Sequence, residues 1–315
     1  MIALAEIRAA AQNIAGKVHR TPLLSSSQLA GPTGVRLHLK CESFQKTGSF
    51  KARGALNKIL SLSADERARG LVTVSAGNHA AAVAWSARIA GCSAVVVMPV
   101  DAPKSKIDAV RGYGAEIVAH PDRATLFDKL EELRVARGLT FVHPFDDPAV
   151  LAGAGTVGVE IAEELEDLEL VIVPVGGGGL LSGVASAIKQ LNARVRVVAV
   201  ELEAGPGLGP SLAAGRPIPV KRPDTLADGM TPPFVGALPL AIAREAVDEI
   251  VTVTETEIID AMKLLMTRAK LYVEASGAAA TAALLAGKVR APQGQRTVAI
   301  VSGGNVDLAR IAALV

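Results

Sequence analysis

Short apolar runs rich in β-branched residues recur along the chain at 71–74, 94–98, 116–119, 170–175, 195–200, 250–253 and 298–301, with amphipathic stretches of helical spacing between them. Continuous runs of this length predict strands buried on both faces. Strand followed by helix, repeated, predicts parallel sheets with right-handed crossovers. Residues 5–14 have helical spacing and end near Gly16, and Pro22 forces the segment Thr21-Pro22-Leu23-Leu24 into extended backbone. The strand-helix units fall into two series, one from about Gly70 to His143 and one from about Leu168 onward. The Pro- and Gly-containing stretch 143–158 reads as the separator between them, and 203–222, also rich in Gly and Pro, reads as loop. No period of roughly 20–50 residues recurs, which argues against a solenoid.

Composition narrows the class. At 315 residues, 50% apolar but only 3% aromatic, the core must be built from Ala, Val, Leu and Ile, as in helices packed on parallel strands. Lys and Arg number 33 against 31 Asp and Glu, a formal charge of +2 without a basic stretch, so no nucleic-acid partner is expected. Cys41 and Cys92 form no C-x-x-C pair, which suits a reducing compartment, with the cytoplasm as the default. No run reaches the roughly 18 apolar residues of a membrane span. The 30 glycines are the informative excess.

Four segments place small residues at the end of an apolar run or at a helix start, where α/β proteins bind ligands. In Thr47-Gly48-Ser49-Phe50-Lys51-Ala52-Arg53, a lysine among small residues can be desolvated and lose basicity, although if the segment stood alone a solvated first-turn lysine would be the better reading. In Ser75-Ala76-Gly77-Asn78-His79, backbone N–H groups can bind a carboxylate and Asn78 can donate to an oxygen, or the segment is an ordinary helix cap. Gly176-Gly177-Gly178-Gly179 costs more backbone entropy than any tight turn warrants, and favours a phosphate approached by bare N–H groups. Ser302, in Ser302-Gly303-Gly304-Asn305, offers a neutral hydroxyl to a heterocycle nitrogen or belongs to a plain loop. Gly153-Ala154-Gly155-Thr156-Val157-Gly158 fits G-x-G-x-x-G but follows no clean β-run, so a dinucleotide site is rejected.

Together with Lys40-Cys41-Glu42-Ser43-Phe44-Gln45-Lys46 and His143-Pro144-Phe145-Asp146-Asp147-Pro148, these segments resemble, in order and over nearly the whole chain, the serine/threonine dehydratase and serine racemase branch of the fold type II pyridoxal-phosphate enzymes. The resemblance implies an α/β fold of two parallel-sheet domains of the tryptophan synthase β type. The large domain would take 1–69 and 148–315, the small one 70–147. Pyridoxal 5'-phosphate is the implied cofactor, with Lys51 as the catalytic Schiff-base lysine and Phe50 packed on the ring. Asn78 would meet the phenolic oxygen, Gly176, Gly177, Gly178 and Gly179 the phosphate, Ser302 the pyridine nitrogen, and Gly229 would line the cofactor. Ser75, Ala76, Gly77, Asn78 and His79 would grip the substrate carboxylate. The implied reaction is α,β-elimination of water from a small β-hydroxy amino acid such as L-threonine or L-serine, giving a 2-oxo acid and ammonia, in a homodimer.

Departures sharpen this reading. Racemases of the branch resemble the chain but carry a serine where it has Ala76, so racemisation should be weak or absent. Relatives that bind a divalent cation have a second carboxylate shortly after the strand that ends near Glu201, where this chain has Gly205 and Gly207, so no metal is expected. The chain stops ten residues after Asn305, so the regulatory domain of biosynthetic relatives is not expected and a catabolic role fits better. The alternatives are a serine racemase, another fold type II β-elimination or β-replacement enzyme, and, in a different class, a non-catalytic ligand-binding protein on the same fold.

Overall fold

The computed structural model describes residues 1–314. Ten strands form two sheets: β1 Leu23–Ser25, β2 Arg36–Cys41, β3 Leu71–Val74, β4 Ala94–Pro99, β5 Glu116–His120, β6 Thr140–Phe141, β7 Leu170–Pro174, β8 Arg196–Leu202, β9 Glu249–Val253 and β10 Arg296–Val301. The larger sheet runs β1-β2-β10-β7-β8-β9 and the smaller β5-β4-β3-β6. Every pairing is parallel except that of the edge strand β1 with β2.

The larger sheet is buried on both faces, and its residues sort with period two. Val171, Val173, Val197, Ala199, Val298 and Ile300 pack in one core with the helices Leu4–Ile14, Pro148–Glu164 and Gly179–Leu191. Leu170, Ile172, Val198, Val200, Ala299 and Val301 pack in another with the helices Glu255–Arg268 and Ala275–Leu285. Both faces are apolar, which is why these strands read as continuous runs rather than alternating ones. In the smaller sheet, Val72, Val74, Val95 and Val97 meet Leu130 and Leu133 on one face, while Val96 and Met98 meet Ala80 and Ala84 on the other.

Two readings of the sequence need correction. The stretch 143–158 does lie between the strands of the two sheets but is not an irregular link: from Pro148 it is the helix Pro148–Glu164. Asp147 caps it by accepting from the N–H groups of Ala149 at 2.8 Å and Val150 at 3.2 Å, and Pro148 occupies the first helical position, so the turn-like sequence is a helix start. Its glycines are packing contacts. A Cβ on Gly153 would come 2.6 Å from the Arg53 carbonyl oxygen, and one on Gly158 2.9 Å from the Ala187 Cβ, so the helix lies against its neighbours closer than any side chain permits. Within 203–222, read as loop, residues Leu208–Ala214 form a short helix. Its first amides explain why: Glu201 accepts from Gly207 and Leu208, both at 2.6 Å, and from Gly209 at 2.9 Å. Among the described residues no cluster of three His, Cys, Asp or Glu could hold a metal ion.

Candidate active site

Strand order brings the four segments together. β10 lies between β2 and β7 with all three parallel, and Cys41 and Val301 are paired residues, so the chain leaves these strands at one carboxyl edge. From the β2 end comes the lysine segment, from β10 Ser302-Gly303-Gly304-Asn305, and from β7 the tetraglycine. A bridge between Ser49 and Gly303, and a 3.1 Å bond from the Phe50 N–H to the Ser302 carbonyl, join the first two directly. The carboxyl end of β3 supplies Ser75, Ala76 and Gly77 from across the gap. Between them lies a cleft of about 720 Å³ lined by every residue that the resemblance gives a cofactor or substrate role: Phe50, Lys51, the segment 75–79, the four glycines, Gly229 and Ser302.

Lys51 opens the helix Lys51–Ser61. Its Nζ donates to the Pro144 carbonyl at 2.7 Å, lies 5.1 Å from the centroid of the Phe50 ring, and has no carboxylate partner among the described residues. Burial therefore acts unopposed and lowers its pKa from 10.5 to about 8. The neighbouring cations raise the cost of protonating His79, whose pKa is pushed down to about 3, first by burial and then by Lys51. His79 Nε2 bonds the Val142 carbonyl at 3.1 Å, so its buried ring braces the floor of the 75–79 segment.

The segment after β6 does more than link two halves. His143 Nδ1 accepts from the N–H groups of Phe145 at 3.2 Å and Asp146 at 2.8 Å, which folds the turn carrying the Pro144 carbonyl. The Phe145 ring covers Gly177, where a Cβ would overlap it. Asp146 accepts from Ala237 at 2.9 Å and Leu238 at 3.0 Å, capping the helix Ala237–Ala246.

The tetraglycine is fixed by its neighbours on every side. A Cβ on Gly176 would lie 2.5 Å from the Gly229 carbonyl oxygen, and Gly178, at φ +91°, would carry one 2.6 Å from Pro239. What remains is bare backbone at the start of the helix Gly179–Leu191, where among the described residues the N–H groups of Gly177, Gly178 and Gly179 donate to no protein acceptor. Unpaired amides at the positive end of a helix dipole suit an anion.

Several contacts at and behind the cleft escaped the sequence reading. Glu274, 7% exposed, accepts from Asn78 Nδ2 at 2.6 Å. Burial, then the nearby Asp228, push its carboxyl up to about 7. Asp228 pairs with Lys106 at 2.7 Å, tying the turn Asp228–Met230 to the helix Lys104–Gly112. Asn305 donates to the Asn78 Oδ1 at 2.8 Å. Glu274 immediately precedes the apolar helix Ala275–Leu285 without capping it, and a carboxylate at the edge of so apolar a stretch was the one available signal.

A partly desolvated lysine amine facing an empty-handed glycine cradle across an α/β cleft defines an enzyme that holds a phosphate-bearing carbonyl cofactor on a lysine. Residues 14–303 match the family of pyridoxal-phosphate dependent enzymes. The chain is 46% identical over 312 residues to the L-threonine ammonia-lyase of Thermotoga maritima, covering 98% of this chain and 77% of the relative. It is 44% identical over 312 residues to the catabolic L-threonine dehydratase TdcB of Escherichia coli K12, covering 98% and 95%. The solved structure of maize serine racemase superposes with a TM-score of 0.94 at 38% identity, covering 99% of this chain and 97% of that one. The chain belongs to the pyridoxal-phosphate-dependent enzyme family, with the two-sheet α/β fold of its fold type II branch. Its residues fit that cofactor: the amides of Gly177, Gly178 and Gly179 are open to a phosphate, Lys51 is weakly basic, and Ser302 presents a hydroxyl whose only bond among the described residues is a long one, 3.4 Å, to the Ser276 carbonyl.

Proposed function

We infer that the chain is an L-threonine ammonia-lyase that also accepts L-serine, releasing a 2-oxo acid and ammonia. The observation that carries this reading is the Lys51 amine, lowered to about 8 and opposite a glycine cradle with unpaired amides. The names of the bacterial relatives support the substrate.

The bound cofactor would act as an electron sink for the substrate's α-carbon. Lys51 Nζ would hold the cofactor and would serve as the general base that takes the substrate's α-proton; at a pKa near 8 the neutral amine is available without being a feeble base. Gly177, Gly178 and Gly179 would hold the phosphate. Asn78 would donate to the ring oxygen, and Ser302 would meet the ring nitrogen with a neutral group, which limits the sink to what elimination needs. The N–H groups of Asn78 and His79 donate to no protein acceptor among the described residues and open the helix Asn78–Ala90, a seat for the substrate carboxylate. Ala76 has no proton to offer the second face of the α-carbon, which favours elimination over racemisation.

The division into a large unit of 1–69 with 148–315 and a small unit of 70–147 is part of this proposal, supported by the strand membership of the two sheets. So are a homodimer and a cytoplasmic setting; no helix among the described residues is long and apolar enough to cross a membrane. The test measures oxo acid release from a panel of β-hydroxy amino acids by the purified protein and by Lys51→Ala. Threonine should be the best substrate and the variant should lose both turnover and the near-visible cofactor band; oxo acid formation by the variant at the parent rate would refute the assignment.

A further inference from the structure

The Asn78 amide is bonded at both ends. Its Nδ2 donates to Glu274 Oε1 at 2.6 Å and its Oδ1 accepts from Asn305 Nδ2 at 2.8 Å. Asn305 is itself anchored, because the same Nδ2 donates to the Thr47 carbonyl at 2.7 Å. A backbone carbonyl and an ionised carboxylate only accept, so acceptors at the two ends of this chain dictate which way both amides face. Turning Asn78 over would set its oxygen against Glu274 and its NH2 against that of Asn305. In the observed orientation one N–H of Nδ2 is spent on Glu274, and the other is left for the cleft that Asn78 lines.

We propose that Glu274 is a positioning residue which, with Asn305, holds the Asn78 amide so that its second N–H is presented to the cofactor's ring oxygen. This rests on the reading that Asn78 meets that oxygen.

Two glycines support it. A Cβ on Gly303 would overlap Glu274 Oε1, and one on Gly48 would overlap the Asn305 amide. Neither glycine lines the cleft, so their smallness is spent on seating the two ends of the clamp. The carboxylate is also tuned: it is raised to about 7 by burial and Asp228, while Asn78 and Lys106 pull the other way, and Asp307 and Arg310 line the small adjoining cavity that Glu274 shares. Above that pH Glu274 only accepts, and the orientation is enforced; below it the carboxyl can also donate, and the hold loosens.

Glu274→Gln keeps the shape but offers both an acceptor and a donor, so this end of the clamp no longer distinguishes the two faces of Asn78 and only Asn305 still does. In the purified holoenzyme, the variant should keep the cofactor on Lys51 while the pH midpoint of its absorbance band shifts and the cofactor dissociation constant rises by about 10-fold or more, the scale on which removing a partner that orients a metal ligand weakens metal binding. Asn305→Ala should reproduce the shift, and the double variant should be no worse than the more affected single one. The cofactor-free Glu274→Gln protein should melt no lower than the parent, which separates positioning from a fold defect. A parental absorbance titration and cofactor affinity in Glu274→Gln, alongside a changed spectrum in Asn78→Ala, would overturn the clamp alone. An unchanged spectrum in Asn78→Ala would overturn the placement of Asn78 as well, whether or not threonine is still consumed.

Discussion

Lys51 Nζ and the Pro144 carbonyl oxygen are 2.7 Å apart, and this bond joins the helix that follows β2 to the turn that follows β6. A neutral carbonyl orients the amine without stabilising its charge as a carboxylate would, so burial decides its basicity.

The cofactor-free protein should therefore capture free pyridoxal phosphate at a rate that rises with pH to about 8 and then levels, in stopped-flow absorbance measurements. An ordinary lysine would keep gaining up to its usual 10.5. The linkage has a definite sign: the folded state binds this proton less tightly than the unfolded one, so it carries the full cost below about pH 8 and sheds it as pH rises from about 8 to 10.5. Lys51→Met should accordingly melt above the parent at pH 7, with the gap closing toward pH 10. A capture rate still climbing tenfold per pH unit above 9 would contradict the lowered basicity.

Ala76→Ser adds a hydroxyl to the cleft just after the carboxyl end of β3, where the proposed reading needs an acid or base for the second face of the α-carbon. Serine racemisation, followed by chiral chromatography, should become detectable in this variant and stay negligible in the parent. Equal rates of enantiomer exchange and oxo acid release in the parent would remove Ala76 from the argument.

Gly177→Ala and Gly183→Ala test two uses of glycine. A Cβ on Gly177 overlaps the Phe145 ring at the cleft, while one on Gly183 would lie 2.5 Å from the Gly155 nitrogen and the Leu151 carbonyl in the helix packing. Both should cost about 1–3 kcal/mol or more of stability through overpacking. Only Gly177→Ala should, in addition, weaken cofactor binding by equilibrium dialysis. Comparable losses of cofactor affinity in both would mean that the cradle is not local.

Arg53→Met removes the cation that Glu42 meets at 2.8 Å and Glu160 at 2.6 Å, inside a site where Arg53 and Glu42 are 0% exposed. Leaving a buried carboxylate unpaired costs about 3–5 kcal/mol. Denaturant unfolding should show a loss of that order, and Glu42→Gln in the same background should recover part of it. A loss under about 1 kcal/mol would mean that water or Lys40, 2.8 Å from Glu160, replaces the guanidinium.

The sequence by itself determined seven of the strands, because the sheets are buried on both faces and these strands are largely apolar; each of the seven runs from 71–74 to 298–301 coincides with a strand to within a residue or two at its ends. It also determined the glycine-rich and small-residue segments, since backbone that must stay bare leaves a compositional trace. The interior strand β2 was missed because Arg36, His38 and Lys40 interrupt its apolar pattern. Lys40 is nonetheless buried, against Glu160 from a distant helix, a pairing visible only after folding. Only the tertiary structure decided that the stretch after β6 folds the turn facing Lys51, that the glycines after Pro148 seat one helix on another, and that Glu274 stands behind Asn78, 196 residues away. A strand's burial is written in its own residues, whereas a contact between distant residues depends on sheet order, which no local pattern carries.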